Sequence, residues 1–194
     1  MKKIFVIAAV IAVLSVQGAF GAEPDSLKAL VRDEARIVKE FPVERHVDAI
    51  AANQMTAAGK AVIVDIRTPQ EYQLIGHVPG TYNIPVAFWG KWDDLKKAFG
   101  WDPNPDFVKL FASVFPDKNA AYILMCRSGH RSAKTVKTLQ QAGYANLYQM
   151  WDGFEGLAVT DKASPNFGKK MVDGWKNRNL PWTYDMDPVL IVQK

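Results

Sequence analysis

Cysteine is nearly missing from this sequence: Cys126 is the only one among 194 residues. An internal disulfide is therefore excluded, as are a CxxC-type redox cycle and any metal site built from several thiolates. Histidine is almost as scarce, and His46, His77 and His130 are too scattered to suggest a zinc cage. Neither charge is in large surplus, with 24 Lys and Arg against 20 Asp and Glu. A nucleic-acid binder normally shows a concentrated basic face, so that partner is not expected. Internal repeats and low-complexity stretches are also absent. The apolar run Ile4 to Val16 is shorter than the ~20 residues that span a bilayer, which disfavours a stable membrane anchor.

That run instead has the flanks of an export signal. Lys2 and Lys3 precede it, and Ala19-Phe20-Gly21 places small residues where a signal peptidase reads. Residues 1–21 are read as a cleaved signal peptide, with Ala22 as the first mature residue and a periplasmic or secreted location. No lipobox-type cysteine follows the run. Removing the two lysines leaves 22 basic groups against 20 acidic ones, a mature net charge of about +2. Exported proteins meet oxidants, so an unpaired thiol there is either reactive or bonded to another molecule.

What remains suits one domain with decorations. Residues 22–44 form an N-terminal extension, helical over 23–40 from the spacing of Leu27, Leu30, Val31, Ala35 and Val38. Val47 to Ala58 reads as a helix closed near Gly59. Ala61 to Val64 is a short continuous apolar run, as in a parallel strand covered on both faces. After Asp65-Ile66-Arg67, Thr68, Pro69 and Glu71 have the arrangement of a capping box with proline at the first helical position. The loop 76–85 feeds a short strand.

Residues 86–118 are rich in aromatics and predict two helices, near 91–99 and 104–114, split by the breakers from Gly100 to Pro103. Most of these aromatics are expected in the core, and a lid over a pocket mouth is the other role open to them. Tyr122 to Met125 reads as a buried strand, Ser132 to Gln141 as a helix closed by Gly143, and Asn146 to Met150 as a strand followed by a turn. The tail, 161–194, is turn-rich and expected to wrap the surface. Alternating strands and helices indicate an α/β fold with a parallel sheet. Ligands of such sheets bind beyond the carboxyl ends of the strands, where Asp65-Ile66-Arg67 and Cys126 both fall.

Cys126 opens the run Cys126-Arg127-Ser128-Gly129-His130-Arg131-Ser132 between a strand and a helix. Helix amino termini and neighbouring cations favour the thiolate, the nucleophilic form of cysteine. Successive N–H groups in such a loop form an anion-binding nest. A lone cysteine is more often a buried structural residue, but the two arginines, the glycine and the histidine argue for chemistry here.

These segments, taken together, resemble the signature set of a single-domain rhodanese, a thiosulfate sulfurtransferase, of the exported type. The resemblance rests on Val64-Asp65-Ile66-Arg67, Glu71-Tyr72, Gly76-His77-Val78-Pro79-Gly80, Asn83-Ile84-Pro85 and the cysteine loop, all in one order. It extends over about residues 45–156 of a domain set at 45–160, with the 86–118 segment as an insertion. It implies a small parallel sheet flanked by helices on both faces. One departure is Asp152-Gly153, where the family usually has two adjacent glycines.

The resemblance also implies a chemistry. Cys126 would take the outer sulfur of thiosulfate, or of a similar donor, as a persulfide and pass it to cyanide, a thiol or a protein acceptor. Backbone N–H groups of residues 127–132 would hold the anionic sulfur, and Arg127 and Arg131 would offer charge to thiosulfate and sulfite. Arg131 is expected to pair with Asp65 or Glu71. Asp65 and Arg67 are expected to support the loop, His77 to be a structural hydrogen-bonder, and His130 either to tune the local field or to face solvent. No metal or organic cofactor is expected. Two rival functions remain. Phosphatases of related architecture use Cys-x5-Arg, whereas Cys126 and Arg131 are separated by four residues, a narrower ring of donors. A partner-dependent persulfide carrier or sensor is the other.

Overall fold

A computed structural model describes residues 43–192. The N-terminal helix expected over 23–40 and the signal sequence lie outside the described residues. The element order is β1 (His46–Val47), α1 (Ala49–Ala57), β2 (Val62–Asp65), α2 (Pro69–Ile75), β3 (Tyr82–Asn83), β4 (Ala87–Asp93), β5 (Ala98–Pro103) and α3 (Phe107–Val114). Then follow β6 (Ala121–Met125), α4 (His130–Gln141), β7 (Asn146–Met150), β8 (Leu157–Ala158) and β9 (Lys170–Val172), with short 3-10 turns at Lys176–Arg178 and Pro188–Leu190.

Five strands form one parallel sheet in the order β1-β7-β6-β2-β3. Strand side chains alternate between faces, and the core divides accordingly. Val64, Tyr122, Leu124 and Leu147 point to one side, where Phe107 and Phe111 of α3 and Val136 and Leu139 of α4 cover them. Ile63, Ile123, Met125 and Met150 point to the other, against Ala49 and Ala52 of α1 and Ile75 of α2. Helices on both faces explain why β2 and β6 are continuously apolar rather than alternating. β2 leads to β3 on one side and β6 leads to β7 on the other. A crevice therefore opens at the carboxyl ends of these two adjacent strands.

Local chemistry sets the helix starts, and α1 begins at Ala49, two residues later than the sequence suggests, because Val47 belongs to β1. Asp48 caps α1, its carboxylate accepting the Ala51 N–H at 2.7 Å. At α2 the capping box is complete: Thr68 Oγ1 accepts the Glu71 N–H and Glu71 accepts the Thr68 N–H, both at 3.1 Å.

The helix expected at 91–99 is instead an antiparallel hairpin, β4–β5. Asp93 Oδ1 accepts the N–H groups of Leu95 and Lys96, and Lys97 takes φ +49°, so the chain reverses where a helix would have continued. Trp89 pairs with Trp101 across the strands, and the Phe99 ring meets the Trp89 and Trp92 rings at 6.0 and 5.3 Å. These aromatics are about half exposed rather than buried in the core. The second helix of the segment is present as α3.

The tail has more regular structure than its composition suggests. β9 pairs with β8, the indole of Trp175 fills the core beside Phe154, and Val192 N–H bonds Asn83 O at 2.9 Å along the β3 edge. An open sheet edge is thereby covered. His77 is held as a structural residue: its ring stacks on Tyr72 at 3.7 Å, with its nitrogens within 3.1 and 3.2 Å of the Tyr72 and Asp185 carbonyl oxygens.

Candidate active site

Cys126 follows the last residue of β6 and is 1% exposed, at the floor of a cavity of about 580 Å³. The Gly129 N–H points at Cys126 Sγ at 3.2 Å, and Ser132 Oγ lies 3.6 Å from the same sulfur. Helix α4 starts at His130, two residues earlier than the sequence suggests, with no side-chain cap on its first turn. Amide hydrogens at such a terminus carry partial positive charge toward the sulfur.

The tightness of the loop depends on two glycines. Gly129 sits at φ +88°, and a Cβ there would come within 2.0 Å of the Trp151 carbonyl oxygen. Gly153, at φ +67°, packs so closely under the loop that a Cβ would meet Arg127 C and Ser128 N at 2.5 Å. The Gly129 carbonyl accepts from Ser132 Oγ and from Gln149 Nε2, each at 2.9 Å. Phe154 N–H and Glu155 N–H bond the carbonyls of Cys126 and Arg127 at 2.8 and 3.0 Å. The cysteine loop is thus bolted to the turn after β7.

Both arginines of the loop are engaged. Arg131 pairs with Glu71, not Asp65, through two hydrogen bonds of 2.7 and 2.6 Å, and its guanidinium lies 4.7 Å from the Trp101 ring centre. Burial alone would raise the Glu71 carboxyl. The Arg131 hydrogen bonds and charge, with the Thr68 N–H, outweigh it and hold that carboxyl below the ordinary range. Arg131 is likewise held charged by Glu71 against the cost of its burial. Arg127 pairs with Glu155.

Asp65 and Arg67 do not line the cavity. They form a fully buried pair, with Arg67 Nε and Nη2 on the Asp65 carboxylate at 2.5 to 3.0 Å. Arg67 also bonds the Gly76 carbonyl at 2.8 Å, and its guanidinium stacks 4.2 Å from the Phe154 ring centre. Phe154, under the Arg67 guanidinium, donates its N–H to the Cys126 carbonyl.

Arg127, Ser128, His130 and Arg131 line the cavity with Cys126, while Gly129 and Ser132 brace it from below. His130 is exposed at the start of α4, with Nδ1 3.2 Å from the Ser128 carbonyl oxygen. Sequence reasoning missed Gln149, Glu155, Lys134 and Lys170, while Trp101 is one of the 86–118 aromatics for which a place at a pocket mouth is open. Only Gln149 left a signal, as a polar residue inside a covered strand.

Asp152 explains the missing glycine. Its buried carboxylate accepts the N–H groups of Ala49 at 3.2 Å and Gly174 at 3.0 Å, joining α1 to the tail. Burial, reinforced by the Asp48 charge, lifts this carboxyl to about 7 despite those donors.

A parallel sheet with a cysteine loop bolted over the carboxyl end of its central strand defines the class, and comparison of the sequence agrees. Residues 48–159 match the rhodanese-like domain model, more than half of the chain, and the protein belongs to that family. An uncharacterised protein of Rickettsia conorii is 31% identical over 135 residues, 69% of this chain and 92% of its own. Thiosulfate sulfurtransferase 16 of Arabidopsis thaliana, a chloroplast protein, is 30% identical over 63% of this chain and 93% of its own. Among solved structures, Rv0390 from M. tuberculosis shares the fold, with a TM-score of 0.54 at 22% identity over 72% of this chain and 97% of that one.

Proposed function

We propose that this protein is an exported sulfurtransferase that carries a sulfane sulfur from thiosulfate, or a donor like it, to a thiophilic acceptor through a persulfide on Cys126. The observation that supports it best is the Gly129 N–H aimed at the Cys126 sulfur in a cavity lined by cations. In the first step the Cys126 thiolate attacks the outer sulfur of thiosulfate. The bond from that sulfur to the sulfonate breaks, sulfite leaves with the electron pair, and the enzyme keeps an anionic persulfide. An acceptor thiolate or cyanide then attacks the outer sulfur, and Cys126 departs as thiolate. This is two-step covalent catalysis with no net redox change. Arg127 and Arg131 stand beside the site and favour both anions, although each is already shared with a carboxylate.

The test is intact-mass measurement after incubation with thiosulfate. Wild-type protein should gain one sulfur atom and lose it on addition of cyanide. Cys126→Ser should gain none while keeping its circular dichroism spectrum, and wild type should leave para-nitrophenyl phosphate unhydrolysed. Absence of the added sulfur on an alkylatable Cys126, or Cys126-dependent phosphatase turnover, would falsify the proposal.

A further inference from the structure

Gln149 lies in β7, a strand covered on both faces, and is buried where an apolar side chain would pack as well. A buried amide is costly unless it is hydrogen-bonded, and this one spends a donor on the cysteine loop: Nε2 reaches the Gly129 carbonyl oxygen at 2.9 Å. The same oxygen accepts the Ser132 hydroxyl at 2.9 Å and the Ala133 N–H at 3.2 Å. A carbonyl oxygen has two lone pairs. Three donors therefore converge on two acceptor positions, and one donor is in surplus.

Only one of the three can leave without moving the fold. The Ala133 N–H is fixed by the backbone of α4 and the Gln149 amide by a packed strand, whereas the Ser132 proton turns about a single bond. Ser132 Oγ also lies 3.6 Å from Cys126 Sγ, where it accepts from the thiol. Once Cys126 is a thiolate that donation ends, and a hydroxyl lone pair would face an anion. Turning the hydroxyl proton from Gly129 to the sulfur replaces that repulsion with a charge-assisted hydrogen bond. Gly129 loses nothing, because Gln149 and Ala133 still fill both lone pairs. The Met150 carbonyl, 3.4 Å from Ser132 Oγ, is a longer and weaker alternative for the proton.

We infer that Gln149 is a positioning residue of the reaction: its amide occupies the Gly129 carbonyl, so that the Ser132 hydroxyl can donate to the Cys126 sulfur whenever that sulfur carries the charge. The inference rests on the sulfurtransferase reading in taking Cys126 as nucleophile and leaving group. Cys126 is a thiolate at the start of the first step and again at the end of the second, so the same turn of one proton assists both. Only hydrogen bonds change at Gln149 and Ser132. An apolar side chain of the same length at position 149 would fill the core equally well, but it would leave two donors for two lone pairs and tie Ser132 to Gly129.

The experiment is a double-mutant cycle on the reactivity of Cys126 at neutral pH. Gln149→Met removes the donor and keeps the length, and Ser132→Ala removes the hydroxyl. Reactivity is read twice, as the rate of sulfur gain from thiosulfate by intact mass and as the rate of alkylation by iodoacetamide. Each single variant should slow both reactions roughly tenfold, the worth of one hydrogen bond to a charged group. The double variant should be no slower than the slower single one, because both substitutions remove the same bond to sulfur; two merely structural losses would multiply. Should Gln149→Met fail to fold, Gln149→Asn replaces it in the cycle, its amide being one methylene too short to reach Gly129. Rates that multiply, or a Gln149 variant that reacts like wild type, overturn the positioning role and leave the sulfurtransferase reading standing. The expected alkylation cycle in a protein that thiosulfate never loads supports the positioning role and sinks the sulfurtransferase reading.

Discussion

At Glu71 a helix cap and an ion pair share one carboxylate, which accepts the Thr68 N–H and two hydrogen bonds from Arg131. Glu71→Gln separates the two roles, because an amide oxygen can still accept the cap bond while the charge is gone. Leaving a largely buried guanidinium without its counter-charge should cost about 2–3 kcal/mol at neutral pH, read as a fall in the urea midpoint. The sign with pH is fixed by the direction of the shift. The folded carboxyl lies below its ordinary value of 4.5, so its contribution is present above that value and fades as pH falls through the lower folded one. The wild-type and variant curves should therefore converge in acid. Divergence there would show that Arg131 draws its stability from elsewhere.

Among the elements, the cysteine loop and the β4–β5 hairpin contrast in how they are specified. The loop is closed by backbone, and Gly129 is irreplaceable on two counts, its positive φ and the Trp151 carbonyl where a Cβ would sit. Gly129→Ala should cost about 3 kcal/mol or more and reduce persulfide loading well below wild type. Near-normal loading and an unchanged thermal midpoint would mean that the loop has room the geometry denies. The hairpin is specified by side chains, and its aromatics mislead for a physical reason. A register shift between Trp89 and Trp92 breaks the two-residue alternation, so the apolar positions fall at spacings of three and four. Local pattern alone then resembles a helix. The capping box at Thr68 carries no such ambiguity, since its partners are three residues apart.

At the scale of the whole molecule, Asp152 fastens the tail to the sheet. The folded protein holds its proton until about 7, whereas the ordinary value is 3.8. The native state thus binds more protons than the unfolded chain between these values, and stability should decline as pH rises from about 4 through 7. Asp152→Asn keeps an oxygen for Ala49 and Gly174 without the charge. We expect it to flatten the dependence of the thermal midpoint between pH 5 and 8 and to exceed wild type by roughly 2–4 kcal/mol above pH 7. A wild-type midpoint that climbs over that interval in parallel with the variant would remove Asp152 as its cause. Export of the protein stays a proposal resting on residues 1–21, which lie outside the described part of the chain.

The sequence by itself determined the α/β alternation, the covered strands β2 and β6, the cap of α2 and the cysteine loop. Each depends on residues within a turn or two of one another, whose spacing dictates period, cap and reversal. Tertiary structure decided which partner each charge finds. Glu71 and Arg131 are 60 positions apart, and Arg127 and Glu155 are 28. Asp65 was an equal candidate for Arg131 until strand order and burial committed it to Arg67. Strand order likewise placed Gln149 beneath Gly129, and brought Trp101, Lys134 and Lys170 to one cavity from three separate elements. Such meetings depend on how elements cross and pack, and no local pattern encodes them.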